Sequence, residues 1–481
     1  MLEGLEAVEL KLSNVLDDNY TGRIDSEYFK KSHLDFLNWI VKKDFSILED
    51  IGDVKGGKRL PLGEEFSDVG IPYIRAEDNK KGFVDYNQSP RISEALHSRL
   101  KQYQTTYNDI LLTNVGNSIG DVGIIKFFLE KCNLTENCIK IVDICNQNPN
   151  YIFSFLNSKY GMIQIKRETV GTAQPKLAIE RIRQFKIPIL LEDFQNKIEE
   201  LVKLSYQKLE TSKALYTEAE TILLDELGLV DFEPSQEAVN IKSLKNSFVE
   251  TGRLDAEYYQ LKYEEIIERV KSKPFDKLDN IVNIKKSIEP GSDNYSDDGV
   301  DFVRVSNITK FGLSKPDIKI PYSFFGGYLN LQHWQPTKDT ILLSKDGTVG
   351  IAYKIKGQTD IVTSGALLHL TVMNNLKDEI LSEYLTLVLN SKIVSMQAER
   401  DAGGSIIQHW KPSEIKEVII PKVDISIQQQ IEEKVQESFR LKKQSEELLE
   451  VAKRSVEIAI EQDEAVALRY IQSNTLHEIK E

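Results

Sequence analysis

The chain has 481 residues, 41% apolar and 28% charged, the profile of an ordinary soluble protein with two or three domains, each able to bury a core. Its net charge of −14 argues against a general nucleic-acid binder, which is usually basic overall, although a local basic field is not excluded. No apolar run approaches the roughly 18 residues of a spanning helix, and Met1 to Leu10 lacks the basic start and apolar core of a signal peptide, so a cytoplasmic home with no membrane contact is expected.

In chain order, the first half predicts a short helix from Asp25 to about Val41, then over a hundred residues of short strands with Gly, Asn and Asp turns. After Gly171 come a short helix and a strand ending at Pro188. A long polar helix follows, in which Phe194, Ile198, Leu201, Ser205, Leu209, Ser212, Leu215, Ala219 and Ile222 recur at steps of three and four. Gly228 to Ser235, with Pro234, breaks it. The second half predicts the same series: a helix from Asp255 to about Lys271, mixed strands and turns, Gly404, a short helix, a strand ending at Pro421, and a second long helix. Its seam holds Ile431, Val435, Phe439, Leu449, Ala452, Val456 and Ala459, with polar Lys442 and Ser445 between. Neither Phe194–Leu227 nor Ile425–Ala467 contains Pro or Gly. About 35 helical residues make a helix roughly 50 Å long, and the two are expected to pack on each other, antiparallel, as a spacer.

The halves are a written-out duplication. Glu6-Ala7-Val8 returns as Glu237-Ala238-Val239, Thr21-Gly22-Arg23-Ile24-Asp25 as Thr251-Gly252-Arg253-Leu254-Asp255, and Leu156-Asn157-Ser158-Lys159 as Leu389-Asn390-Ser391-Lys392. Gly171, Pro188, Gln195 and Ile198 fall on Gly404, Pro421, Gln428 and Ile431. A period near 230 residues is far too long for a solenoid and is the size of a domain plus a connector. Such a pseudo-dimer suits a partner with two similar halves, and duplex DNA with two half-sites is one. The leader before Gly22 resembles Glu237 to Thr251 and is expected to be the tail of a circularly arranged helical region rather than an accessory element.

Several catalytic patterns fail. Gly52-Asp53-Val54-Lys55-Gly56-Gly57-Lys58-Arg59 has the spacing of a phosphate-binding loop, but Arg59 stands where a magnesium-binding hydroxyl is needed and Pro61 follows where a helix must start. Asn148-Pro149-Asn150-Tyr151 lacks the second proline of an amino-methyltransferase loop. Pro316-Asp317 stands about a hundred residues from Glu414-Ile415-Lys416, with nothing to make them one two-carboxylate metal site. The six histidines are scattered, and His409 beside Trp410 reads as a surface or packing pair. Cys132, Cys138 and Cys145 match no zinc spacing and are expected to be reduced and inert.

One repeated loop remains. Ile110-Leu111-Leu112-Thr113-Asn114-Val115-Gly116-Asn117-Ser118 matches Ile341-Leu342-Leu343-Ser344-Lys345-Asp346-Gly347-Thr348: a buried strand entering a glycine-bracketed turn. The scaffold repeats while the tips differ, Asn114, Asn117 and Ser118 in one copy, Lys345, Asp346 and Thr348 in the other. Asn pairs with adenine, Lys with guanine, and Asp accepts from cytosine; the same residue types are also favoured in plain hairpin turns. Basic residues cluster at Lys55, Lys58 and Arg59 in one half and at Lys285 and Lys286, beside Ser287, in the other; Arg75 and Arg304 complete the candidate DNA-binding set.

The ordered motifs resemble the specificity subunit of type I restriction–modification enzymes from about Thr21 to Ile460. Gly-Arg-(Ile/Leu)-Asp-x-Glu-Tyr opens each half, and Asp109-Ile110-Leu111-Leu112 and Thr340-Ile341-Leu342-Leu343 lead into the glycine turns. Gly171-Thr172-Ala173-Gln174-Pro175-Lys176-Leu177 precedes Ile187-Pro188-Ile189, and Phe194-Gln195-Asn196-Lys197-Ile198 opens the long helix. Gly404-Ser405-Ile406, Ile420-Pro421 and Gln428-Gln429-Gln430-Ile431 follow in the second half. The resemblance implies an α+β chain with a pseudo-two-fold internal repeat. Its parts are an N-terminal target-recognition domain (1–192), a first spacer helix (193–232), a C-terminal target-recognition domain (233–425), and a second spacer helix with tail (426–481). The two helices would form an antiparallel coiled coil. It further implies double-stranded DNA as ligand, two modification (methyltransferase) subunits carrying S-adenosylmethionine, and motor–nuclease restriction subunits carrying ATP and Mg. The chain itself would hold no cofactor, metal or catalytic residue. A scaffold that spaces proteins without DNA, and a fused methyltransferase–specificity enzyme, are the alternatives.

Overall fold

The computed structural model describes residues 8–16, 19, 21–80, 82–126, 131–171, 174–237, 239–402 and 408–475. Parts of the repeated motifs, Glu6-Ala7, Thr172-Ala173, Ala238 and Gly404-Ser405-Ile406, lie outside them. The chain divides into two compact units: Met1–Glu210 with Lys442–Glu481, and Thr211–Leu441. Both are α+β.

In the first unit a four-stranded antiparallel sheet holds β1 (Asp53–Gly56), β2 (Ile110–Thr113), β3 (Val122–Ile124) and β4 (Cys138–Val142) in the order β1-β4-β2-β3. The run Ile110-Leu111-Leu112-Thr113 is buried at every position because both faces of the strand are covered. Side chains alternate across the strand. Ile110 and Leu112 enter the main core with Tyr151, Phe155 and Phe194; Leu111 enters a second core with Ile74, Cys132, Leu134 and Cys138. Ile71–Ile74 and Cys132–Leu134 pair in parallel in the second, mixed sheet.

In the second unit β5 (Val282–Lys286), β6 (Ile341–Ser344), β7 (Ala352–Lys354) and β8 (Leu367–Val372) form an antiparallel sheet in the order β5-β8-β6-β7. Ile341 and Leu343 enter the main core, and Leu342 enters the smaller one. Val300–Val303 and Ile361–Thr363 pair in parallel.

The strands that end in proline close each unit: Phe45 stands opposite Pro188, and Phe275 opposite Pro421. Tyr151 donates to the Pro188 carbonyl at 2.6 Å, and Tyr384 to that of Pro421 at 2.8 Å. The repeated glutamines are buried connectors. Gln195 accepts from the Asn148 N–H and donates to the Leu190 carbonyl, both at 2.8 Å. Gln428 accepts from the Leu381 N–H at 3.0 Å and donates to the Val423 carbonyl at 2.9 Å.

The first helix of each half is shorter than the sequence predicts. The helices are Lys31–Val41 and Leu261–Lys271, not from Asp25 and Asp255. Asp25 accepts from the Tyr28 N–H at 3.0 Å and pairs with Arg23 at 2.7 Å; Asp255 pairs with Arg253 at 2.6 Å. These local bonds hold turns that compete with the first helical turn.

The long helices run Glu192–Glu226 and Ile425–Glu461, 35 and 37 residues. Within the first unit Ser205 donates to the Ser445 carbonyl at 2.8 Å and Lys208 reaches Gln444 at 2.8 Å. Within the second, Ser438 donates to the Ser212 carbonyl at 2.7 Å and Lys434 pairs with Glu218 at 2.6 Å. In each unit the helix segments run antiparallel, and the small seam serines let the backbones approach. Beyond Ser212 the most buried stripe passes to Tyr216, Ala219 and Leu223 rather than Leu215 and Ile222, as a 3.6-residue period drifts off a 3.5-residue seam. The stretch free of Pro and Gly reaches Ala467, yet the second long helix stops at Glu461; the Asp463 carboxylate caps a separate helix, Glu464–Thr475, at the Val466 N–H.

Candidate nucleic-acid interface

In each unit several of the basic and loop residues singled out in the sequence lie beside one short turn. In the first unit it is the turn entering β4, residues 135–137. The Thr135 N–H donates to the Ile74 carbonyl at 2.9 Å, which places Arg75 beside it. The Lys58 N–H donates to the Leu134 carbonyl at 2.8 Å, and Arg59, largely exposed, pairs with Glu136 at 2.6 Å. On the other side the Asn114 N–H donates to the Asn137 carbonyl at 3.1 Å. Gly57 permits this approach: a Cβ there would lie 1.9 Å from the Thr135 carbonyl oxygen.

In the second unit the turn entering β8, residues 364–366, has matching neighbours. The Ser364 N–H donates to the Val303 carbonyl at 2.9 Å, next to Arg304. Ser287 donates to the Thr363 carbonyl at 2.6 Å, and the Lys345 N–H to that of Ala366 at 2.9 Å.

The side chains differ in availability. Lys58, Lys286, Asn117 and Thr348 are exposed. Asn114 is buried, with its amide on the Leu177 carbonyl at 3.3 Å, and Ser287 is buried on its own carbonyl partner; a base contact by either would require it to leave that partner. Ser118 and Arg304 are half-buried. Arg75 is held by Asp78 at 3.1 Å and Glu77 at 2.5 Å, and the Asp78 hydrogen bond keeps its guanidinium pKa above the usual value. Lys55 lies two residues before Gly57 on β1, paired with Asp53 at 2.8 Å and Asp143 at 3.2 Å. Lys285 points away from the turn: its ammonium donates to the His333 carbonyl, 5.5 Å above the Trp334 ring, and burial lowers its pKa.

Two features escape a linear reading. Lys345 pairs with Asp346, and Asp346 accepts from His409 at 2.9 Å; the pairing of residues 346–347 with 408–409 brings His409 to the glycine turn. The Val115–Lys176 bridge similarly ties the first glycine turn to the segment after Gly171. More than 60 residues separate the partners in each case, so only the bulk of Trp410, buried beside an exposed His409, hints at the arrangement. Asn79, Lys126 and Lys140, which the sequence reading passed over, are buried polar residues of the first unit. Among the described residues no group of three or more His, Cys, Asp or Glu is placed to hold a metal, and no helix is long and apolar enough to cross a membrane.

Exposed cations and differing polar loop residues thus lie near the two turns. No curated relative matches the chain. Among solved structures it is similar to the S subunit of a type I restriction–modification system from M. genitalium, at 14% identity over 89% of this chain and 96% of that one, with a TM-score of 0.37. It is also similar to the HsdS subunit from Thermoanaerobacter tengcongensis, at 13% identity over 87% of this chain and 97% of that one, with a TM-score of 0.28. A chain from a study of complex assembly and conformational transition of the type I R-M system aligns at 11% identity over 89% of this chain and 97% of that one, with a TM-score of 0.28. Residues 41–221 match the family model of the type I restriction modification DNA specificity domain. That segment, which carries the first glycine turn and its basic neighbours, therefore belongs to the type I restriction–modification DNA specificity family that the duplicated motifs resemble.

Proposed function

We propose that the chain is the specificity subunit of a type I restriction–modification complex, working in the cytoplasm and reading a bipartite sequence in double-stranded DNA. The observation that carries this reading is the clustering of Lys58, Arg59, Arg75 and Asn114 around residues 135–137, with Asn117 and Ser118 following Asn114 on the glycine turn, inside the segment that matches the specificity-domain family. Lys286, Ser287, Arg304, Lys345, Asp346 and Thr348 make the corresponding surface of the second unit. Residues 1–192 and 233–425 are the two target-recognition domains, related by a pseudo-two-fold internal repeat, and each reads one half-site. The long helices Glu192–Glu226 and Ile425–Glu461, which make up most of the spacer segments 193–232 and 426–481, are an antiparallel coiled coil that fixes the gap. Small seam residues such as Ser205 and Ser438 support that packing. Two modification subunits dock on the chain and supply S-adenosylmethionine; motor–nuclease restriction subunits supply ATP and Mg. The chain contributes recognition and no catalytic group of its own.

Methylome sequencing of a host expressing this chain with its partner subunits tests the proposal. The expected outcome is one new methylated motif made of two specific parts around a gap of fixed length. Methylation at a single uninterrupted motif, or methylation unchanged by omitting this chain, would overturn it.

A further inference from the structure

The first unit contains a cleft of about 630 Å³ between β1, β4 and the segment 101–109. It has the volume of a small-ligand pocket. Its lining carries four cations, Lys55, Lys101, Lys140 and Arg183, against two carboxylates, Asp109 and Asp143. The sequence reading used only Lys55 from this set.

Two of the cations are placed at some cost. Lys55 and Lys140 stand directly opposite each other on adjacent antiparallel strands, and like charges in that position repel. Lys140 is 5% exposed. Its ammonium donates to the Gln104 carbonyl, a neutral group, and burial lowers its pKa. Asp109 beneath it is tied to the Thr106 N–H at 2.8 Å, and burial raises its carboxyl to about 6. One guanidinium nitrogen of Arg183 donates to the Val54 carbonyl at 3.3 Å. Lys101 is exposed at the rim with no ion pair among the described residues. The two carboxylates paired with Lys55, Asp53 at 2.8 Å and Asp143 at 3.2 Å, are themselves largely exposed. The net charge is thus positive, with donors to spare and a buried ammonium at the base. Titratable groups displaced in this way, in a cleft, make it a candidate functional site.

We propose that this cleft binds a phosphate group, with Lys101 and Arg183 as the rim donors and Lys140 as the buried counter-charge. The phosphate comes either from the DNA backbone or from a free nucleotide. The first source rests on the proposed DNA-reading function; the second does not.

The purified full-length chain is titrated with inorganic phosphate and with pyrophosphate at constant ionic strength, following thermal unfolding and phosphorus NMR, with chloride as the control. Binding is expected to raise the unfolding temperature and to broaden the phosphorus signal. Lys101→Ala and Arg183→Gln, both outside the core, are each expected to weaken it about tenfold, in line with the loss of a charge-assisted hydrogen bond. Equal responses in phosphate and chloride, or variants that bind like the native chain, overturn the proposal. Duplex DNA then separates the sources: DNA that displaces pyrophosphate assigns the cleft to the backbone, and simultaneous binding assigns it to a free nucleotide. A chain that binds pyrophosphate in the cleft but no DNA would refute the DNA-reading function and leave the phosphate site standing. Normal DNA binding with no phosphate response would do the reverse.

Discussion

His369 shows what burial does to one residue. It lies on β8 with Nε2 2.8 Å from the Thr363 hydroxyl, opposite Lys285 on β5. Burial, with help from the Lys285 charge, pushes its pKa down from 6.5 to about 4. The unfolded chain therefore takes up a proton near pH 6.5 that the folded chain refuses until about 4. Stability contributed by the neutral ring is present above pH 6.5 and lost as pH falls toward 4, by an amount on the order of 3 kcal/mol. In urea unfolding, His369→Gln is expected to lose less stability between pH 7.5 and pH 4.5 than the native chain; equal losses would show that His369 is not the group responsible. The interface residues separate by exposure in the same way. Lys58→Ala and Lys286→Ala, on exposed and unpaired ammoniums, are expected to weaken binding to every DNA sequence alike and to flatten the salt slope by about 0.9 each. Asn117→Ala, on the exposed turn, is expected to change base preference in one half-site only, by about 1–3 kcal/mol. Binding to DNAs that differ in a single half-site distinguishes the two effects.

The glycines at the interface act at the scale of the element. Gly57 follows β1 where the chain meets residues 134–135, and an added Cβ would sit 1.9 Å from one carbonyl oxygen and 2.8 Å from another. Neither backbone atom can yield without opening the turn that carries Glu136 and Asn137. Gly57→Ala is expected to cost about 1–3 kcal/mol and to impair reading of the first half-site while leaving the second intact. Gly63, at an open loop position with φ of +85°, provides the contrast, since there an alanine meets backbone strain but no clash. Unfolding in urea together with half-site binding checks both. The glycine-rich run Gly52–Arg59 is therefore explained by packing: its spacing resembles a phosphate loop because a strand edge must pass close to a turn.

At the scale of the whole molecule, the proposed function makes the long helices a ruler. Seven residues added to each, in phase with the seam, lengthen the helices by about 10 Å. On B-DNA at about 3.4 Å per base pair this widens the gap between half-sites by roughly three base pairs. Methylome sequencing of the lengthened variant is expected to return the original half-sites at the larger spacing. Full activity at the original spacing would refute the ruler.

The two buried strands, the proline-ended strands and the two long helices were legible from sequence because each depends on local periodicity or on residues that restrict the backbone: Ile110–Thr113 and Ile341–Ser344, Pro188 and Pro421, and the absence of Pro and Gly from the helices. The duplication made them clearer by stating each twice. The composition of the interface was not legible. The sequence nominated Asn114, Lys58 and Arg59, but only the tertiary structure brings them around residues 135–137, buries Asn114, and turns Lys285 toward His333. It also decided that Asp25 and Asp255 hold turns instead of starting helices, and that His409 joins Asp346. The reason is physical: strand and helix periods are written in neighbouring residues, whereas burial and pairing depend on which side chains meet, whether a local partner such as Arg23 for Asp25 or a distant one such as His409 for Asp346.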